Sequence, residues 1–102
     1  NKINIQAERF ITKVVEPRIK RVWENEQKVT IPGVDIWYRG NSFSFDNNGD
    51  YPDAPYGEST DITNSVIKLL EERGFKVESK TISGGTEFQN GKAEYTISWE
   101  EE

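Results

Sequence analysis

Neither cysteine nor histidine occurs in this chain of 102 residues. No disulfide can staple the fold, and structural zinc sites built on either residue are excluded. A hydrophobic core must therefore hold the structure alone. Hydrophobic residues make up only 33% of the chain, but three Trp, four Tyr and five Phe are available to it, and each aromatic ring buries a large area. That aromatic load argues against disorder and for one folded domain over residues 1–102. The same two absences remove thiol catalysis and His-dependent hydrolysis. Carboxylates, lysines, hydroxyls and tyrosines remain.

The apolar residues show two periods. Ala7, Phe10, Ile11, Val14 and Val15 recur at helical spacing, which predicts a helix over residues 4–27. Pro17 interrupts it. Beyond Pro17 the stripe changes phase: an unbroken helix would put Arg18 in its centre, whereas a restart gives Ile19, Val22 and Trp23 a face of their own. A kink or break near Pro17 is expected, because proline removes a hydrogen bond and clashes with the preceding turn. A second helix follows Ser59-Thr60-Asp61, with Ile62, Val66, Ile67, Leu69 and Leu70 inward. Gly74 suits the left-handed position after its end, and Phe75 can fold back on the last turn.

The rest reads as strand. Val29 and Ile31 alternate with Lys28 and Thr30, and Pro32–Gly33 reads as a turn. Residues 34–39 and 42–46 flank Gly40–Asn41, a two-residue hairpin signal. Phe43 and Phe45 then share one face, Ser42 and Ser44 the other. In the C-terminal third, Phe75, Val77, Ser79 and Thr81 alternate with charged residues. Ser83-Gly84-Gly85 and Asn90–Gly91 read as turns, and Ala93, Tyr95, Ile97 and Trp99 point inward. The expected class is α+β, a mostly antiparallel sheet of about five strands packed against two helices in the order α-β-β-β-α-β-β.

Charge is unevenly placed. Residues 1–28 carry seven basic groups against four acidic, while the whole chain is at −5. Arg9, Lys13 and Lys20 align on the outward face of the first predicted helix. The α-β-β-β-α order is shared with double-stranded-RNA-binding domains, but their basic cluster at the start of the second helix is replaced here by Glu58-Ser59-Thr60-Asp61. Phosphate binding depends on that charge, so a nucleic-acid partner is not expected. No apolar run approaches the ~20 residues of a membrane span, so no membrane partner is expected either. The lack of cysteine fits a reducing compartment, and no charged-then-apolar leader opens the sequence, which leads to the expectation of a cytoplasmic location.

Residues 46–58 form a long loop of turn-formers with two tyrosines. Asp46-Asn47-Asn48-Gly49-Asp50 resembles the start of a calcium loop. It departs from that pattern at Tyr51, where a glycine is needed, and at Gly57, where a bidentate glutamate is needed. No metal or other cofactor is expected. Carboxylate pairs of the glycosidase kind can be drawn among Asp35, Asp46, Asp50, Asp53 and Glu58, but an exposed loop supplies neither a raised pKa nor a fixed separation. The chain reads as non-catalytic.

Tyrosine and tryptophan are favoured interface anchors. The expected partner-binding surface is therefore Trp37, Arg39, Asp46, Asp50, Tyr51, Asp53, Tyr56 and Glu58, an acidic aromatic loop suited to a basic protein groove. The chain has the general character of small accessory or inhibitor proteins of phages and mobile elements, with no motif that carries the likeness. The alternative is a structural subunit of an assembly such as a phage particle.

Overall fold

The fold is described from a computed structural model, which describes residues 2–45 and 59–99. The protein is α+β: one long helical rod and one shorter helix lie against a four-stranded antiparallel sheet.

The rod resolves the phase change without a break. It comprises α1 (Lys2–Phe10), a π-helical turn (Ile11–Val15) and α2 (Glu16–Val22), and the joints keep right-handed helical dihedrals. The Glu16 N–H donates to the Ile11 carbonyl, five residues back. A π turn holds one more residue than an α turn and so rotates everything after it by roughly 100°. That rotation carries the buried stripe from Phe10, Ile11, Val14 and Val15 to Ile19 instead of Arg18. Pro17, which cannot donate, sits in the first turn of α2, where its missing N–H costs least. The sequence expectation of a phase change at Pro17 holds, but the predicted kink is a wide turn just before it.

β1 (Lys28–Ile36), β2 (Gly40–Phe43), β3 (Lys76–Ser83) and β4 (Gly91–Ser98) pair in the spatial order β2-β1-β4-β3. Among the described residues this is four strands, not five. The two strands expected on either side of Pro32–Gly33 are one, since both residues stay in the β1–β4 ladder opposite Glu94 and Ala93. Gly33 is needed for closeness and not for a turn: a Cβ there would lie 2.7 Å from the Ser42 carbonyl oxygen and 3.0 Å from the Tyr95 ring. Pro32 is tolerated in a central strand because β2 stops beside Gly33, and the Pro32 carbonyl accepts from the Ser44 N–H at 3.4 Å.

The sheet curls. β2 and β3 are its two edges, yet the Asn41 amide donates to Ser79 Oγ at 3.4 Å and accepts from Thr81 Oγ1 at 3.1 Å. The concave face is filled by Tyr95 stacked on Phe43, with centroids 4.1 Å apart, and by Phe10 against Phe43 and Phe45. Along β4 the alternation is as expected, with Ala93, Tyr95 and Ile97 buried and Trp99 following them. Ser42 and Ser44 are also buried, against expectation, because α3 (Ser59–Glu72) covers the outer edge of β2. Thr63 Oγ1 of α3 accepts from the Phe43 N–H at 3.0 Å and shares a hydrogen bond of 2.9 Å with Ser42 Oγ.

Ile62, Val66 and Leu70 of α3 join the same core, with Ile67 and Leu69 half-buried. α3 ends as its sequence predicts. Gly74 has φ +92°, its N–H donates to Glu71, and the Phe75 N–H donates to Leu70 at 3.0 Å. Asn4 reaches Ser65 at 2.8 Å, and Glu8 pairs with Arg73, so α1 and α3 run in the same direction side by side. Among the described residues no helix is long and apolar enough to cross a membrane.

Candidate functional site

The two hairpin connections define one end of the sheet. Ile36 pairs with Gly40, so the β1–β2 turn is the three residues Trp37-Tyr38-Arg39, not Gly40–Asn41. It is closed by the Arg39 N–H donating to the Ile36 carbonyl at 2.9 Å, with Tyr38 at φ +62° and Gly40 at φ +89°. Trp37 and Arg39 therefore do not alternate along a strand; they sit at its tip.

The β3–β4 connection is residues 84–90, longer than the Asn90–Gly91 turn expected, with Gly91 already paired to Asp35. Thr86 and Gln89 close a small inner turn on each other's main chain. Because β1 and β4 are antiparallel, Ile36 and Gly91 lie at the same end. The Asp35 carboxylate ties the two connections together by accepting from the Gly85 N–H at 2.9 Å.

This end exposes large apolar side chains. Among the described residues six large apolar side chains stand exposed, and four of them are here: Trp37 (42%), Tyr38 (89%), Phe88 (89%) and Ile82 (54%). The Trp37 and Tyr38 rings touch, with centroids 4.2 Å apart. Ile82 is the extra residue of a bulge in β3, between Thr81 opposite Ala93 and Ser83 opposite Lys92. Bulges commonly re-aim a side chain in this way. Arg39, Glu87 and Lys92, all exposed, give the patch a mixed charged border.

Of the residues expected to bind a partner, Trp37 and Arg39 are thus brought to an exposed turn. Asp46, Asp50, Tyr51, Asp53, Tyr56 and Glu58 lie outside the described residues. Tyr38 and Phe88 were missed. Alternation along residues 34–39 puts Tyr38 on the face opposite Trp37 and Arg39; Phe88 had a readable signal, an aromatic residue flanked by Thr86-Glu87 and Gln89-Asn90 between two glycine turns.

The basic face expected on the first helix is divided. Arg9, Lys13 and Lys20 are all exposed, but Lys13 lies within the π turn, with Arg9 before it and Lys20 beyond it. Lys20 borders an apolar groove with Ile19, Trp23, Leu70 and Phe75, whereas Lys13 borders a different one with Arg18 and Arg21. Comparison with protein families, with curated proteins and with solved structures finds no match to this chain.

Proposed function

We propose that this protein is a non-catalytic protein-binding module, a small accessory or inhibitor protein of the phage or mobile-element type. It docks a larger protein through the aromatic end of its sheet. The observation that supports this reading is the gathering of Trp37, Tyr38, Phe88 and Ile82 at one end, exposed. Rigid aromatic side chains cover much area with few rotatable bonds, and both connections here are held by hydrogen bonds before any partner arrives. The acidic segment 46–58, with Tyr51 and Tyr56, is proposed as part of the same interface. Its carboxylates suit a partner with a basic surface and would make encounter salt-sensitive.

The test is capture from a lysate of the source cell with four baits. The unaltered chain should retain a partner. Trp37→Ser with Tyr38→Ser and Phe88→Ser should lose it at an unchanged melting temperature, and Tyr51→Ala with Tyr56→Ala should weaken it. Lys13→Glu with Lys20→Glu should leave it in place. Retention by the triple variant would refute the aromatic end as the site. Rings or concentration-dependent assembly in light scattering would favour the alternative, a subunit of an assembly.

A further inference from the structure

The rod and α3 separate at one end. Along α1 the two helices are tied by Asn4 on Ser65 and by Glu8 on Arg73. Past the π turn, α2 has no comparable packing against α3 among the described residues, and a notch of about 370 Å³ opens between them. Ile11 and Ile19 of the rod line it together with Leu70 and Phe75 from the end of α3, and Trp23 stands at its side. Ile19 is available to it because the extra residue of the π turn rotates that position inward.

The walls are set before anything binds. Trp23 stacks on Trp99 with centroids 5.0 Å apart, and Phe75 meets the edge of the same ring. The Phe75 N–H is bonded to the Leu70 carbonyl. Trp23 nonetheless leaves 47% of its surface to solvent. Small-molecule sites are concave and mostly apolar, roughly 300–1,000 Å³ in volume, with a few charged groups that fix orientation.

Three charged side chains supply the rim: Glu16, Lys20 and Arg73. Arg73 is held by Glu8. Glu16 and Lys20 are one helical turn apart, with roughly 5–6 Å between their Cβ atoms. Neither makes a salt bridge or side-chain hydrogen bond to a described residue. One carboxylate and one ammonium therefore stand side by side above an apolar floor.

We propose that the notch binds a free α-amino acid with a large apolar side chain. Its ammonium meets Glu16, its carboxylate meets Lys20 with Arg73 beside it, and its side chain fills the space between Ile19, Leu70 and Phe75 against Trp23. The charge pattern separates this class from its neighbours. An apolar acid would bring its carboxylate up to Glu16, and an apolar amine would bring its ammonium up to Lys20 and Arg73. An amino acid carries both charges on one carbon, which fits between two side chains one turn apart. The site lies at the opposite end of the sheet from Trp37 and Tyr38, and it stands or falls separately from the aromatic end.

The experiment titrates the full chain, labelled with nitrogen-15, with L-phenylalanine. Three altered ligands each remove one feature: glycine lacks the side chain, N-acetyl-phenylalanine the ammonium, and phenylalanine amide the carboxylate. Phenylalanine should shift the Trp23 indole N–H resonance, identified with Trp23→Phe, to saturation and leave that of Trp37 unmoved. Glycine should leave both unmoved. The acetylated and amidated ligands should each bind about two- to fivefold more weakly than phenylalanine, as for loss of one exposed ion pair. Glu16→Gln should bring phenylalanine and its acetylated form to nearly equal affinity, and Lys20→Gln should do the same for phenylalanine and its amide. Both variants should keep the parent melting temperature. Absence of a saturable shift with phenylalanine would overturn the proposal. So would equal or tighter binding of the acetylated form to the unaltered chain, which would make the notch a site for apolar acids, or of the amide, which would make it a site for apolar amines. A Trp23 shift that follows protein concentration without ligand would overturn it as well, giving the notch to a second copy.

Discussion

Two aromatic pairs sit at opposite ends of the curled sheet, and only one belongs to the core. At one end Trp23 stacks on Trp99, centroids 5.0 Å apart and planes within 11°. At the other, Trp37 lies against Tyr38 at 4.2 Å. Ring contact alone does not distinguish them. What differs is the anchoring. Trp99 is 7% exposed, follows the inward alternation of β4 and meets the edge of Phe75, so the half-exposed Trp23 rests on a ring that is already fixed. Trp37 and Tyr38 both belong to a turn, and neither is buried. A ring stabilises a fold when its neighbours exclude water from it, and the area in contact with another exposed ring counts for little.

The largest expected effects test that contrast directly. Trp99→Ala should cost about 3–5 kcal/mol, in the range for truncating a buried aromatic. Trp37→Ala should stay within about 0.5 kcal/mol, as for surface positions without a special role. Urea melts of the two variants decide it. Equal losses would mean that the exposed pair is structural, and the aromatic end would lose its standing as a binding surface.

A second expectation concerns what lies between the two ends. Gly33 lets β1 approach both the Ser42 carbonyl and the Tyr95 ring. Gly33→Ala should therefore cost about 1–3 kcal/mol through overpacking. The same change at Gly40 meets nothing within 4 Å, though its φ of +89° disfavours a side chain for a different reason. If Gly33→Ala melts like the parent, the curl that closes Asn41 onto Ser79 and Thr81 is looser than described.

Tyr95 gives the comparison a pH axis. Burial pushes its hydroxyl from 10.0 up to about 12. The folded state then holds a proton that the unfolded state releases first, so stability is intact below pH 10 and falls as pH rises toward 12. Tyr95→Phe should remove that part of the slope. An identical alkaline profile in the variant would mean that the phenol reaches solvent, and that the concave face is less closed than its aromatic packing implies.

Where the sequence was readable, the signal was periodic or local. The inward side of β4 and the Gly74–Phe75 stop needed only alternation and one glycine. The phase shift at Pro17 was readable as well, although a wide turn and a break make the same shift in the apolar stripe. The three misplaced turns have a common cause. Pro32–Gly33, Gly40–Asn41 and Asn90–Gly91 are all good turn dipeptides, and here each lies within or at the start of a strand. Gly33 answers to Tyr95, sixty-two residues away in sequence, and no local window contains that contact. Of the expected site, Trp37 and Arg39 were found by residue type, although on the wrong element. Tyr38 was missed because alternation assumes a strand continues, and here the strand stops one residue after Asp35.

The smallest expected change is the most specific to the aromatic end. Tyr38 is the one non-glycine residue with positive φ among the described residues, at +62°. Left-handed backbone costs an L-residue with a bulky side chain roughly 1–2 kcal/mol, and glycine escapes that cost. A turn selected for stability alone would carry glycine or asparagine there. Tyr38 instead spends its side chain on solvent and on Trp37. Local strain of this kind gathers at functional sites. Tyr38→Gly should thus raise stability by about 0.5–1 kcal/mol, reduced somewhat by glycine's greater freedom in the unfolded chain. The same variant should bind the partner less well. Gain of stability with loss of binding would mark Tyr38 as held at the tip for contact. Loss of stability would show that its ring supports the turn through Trp37, and the two ends of the sheet would then differ in degree and not in kind.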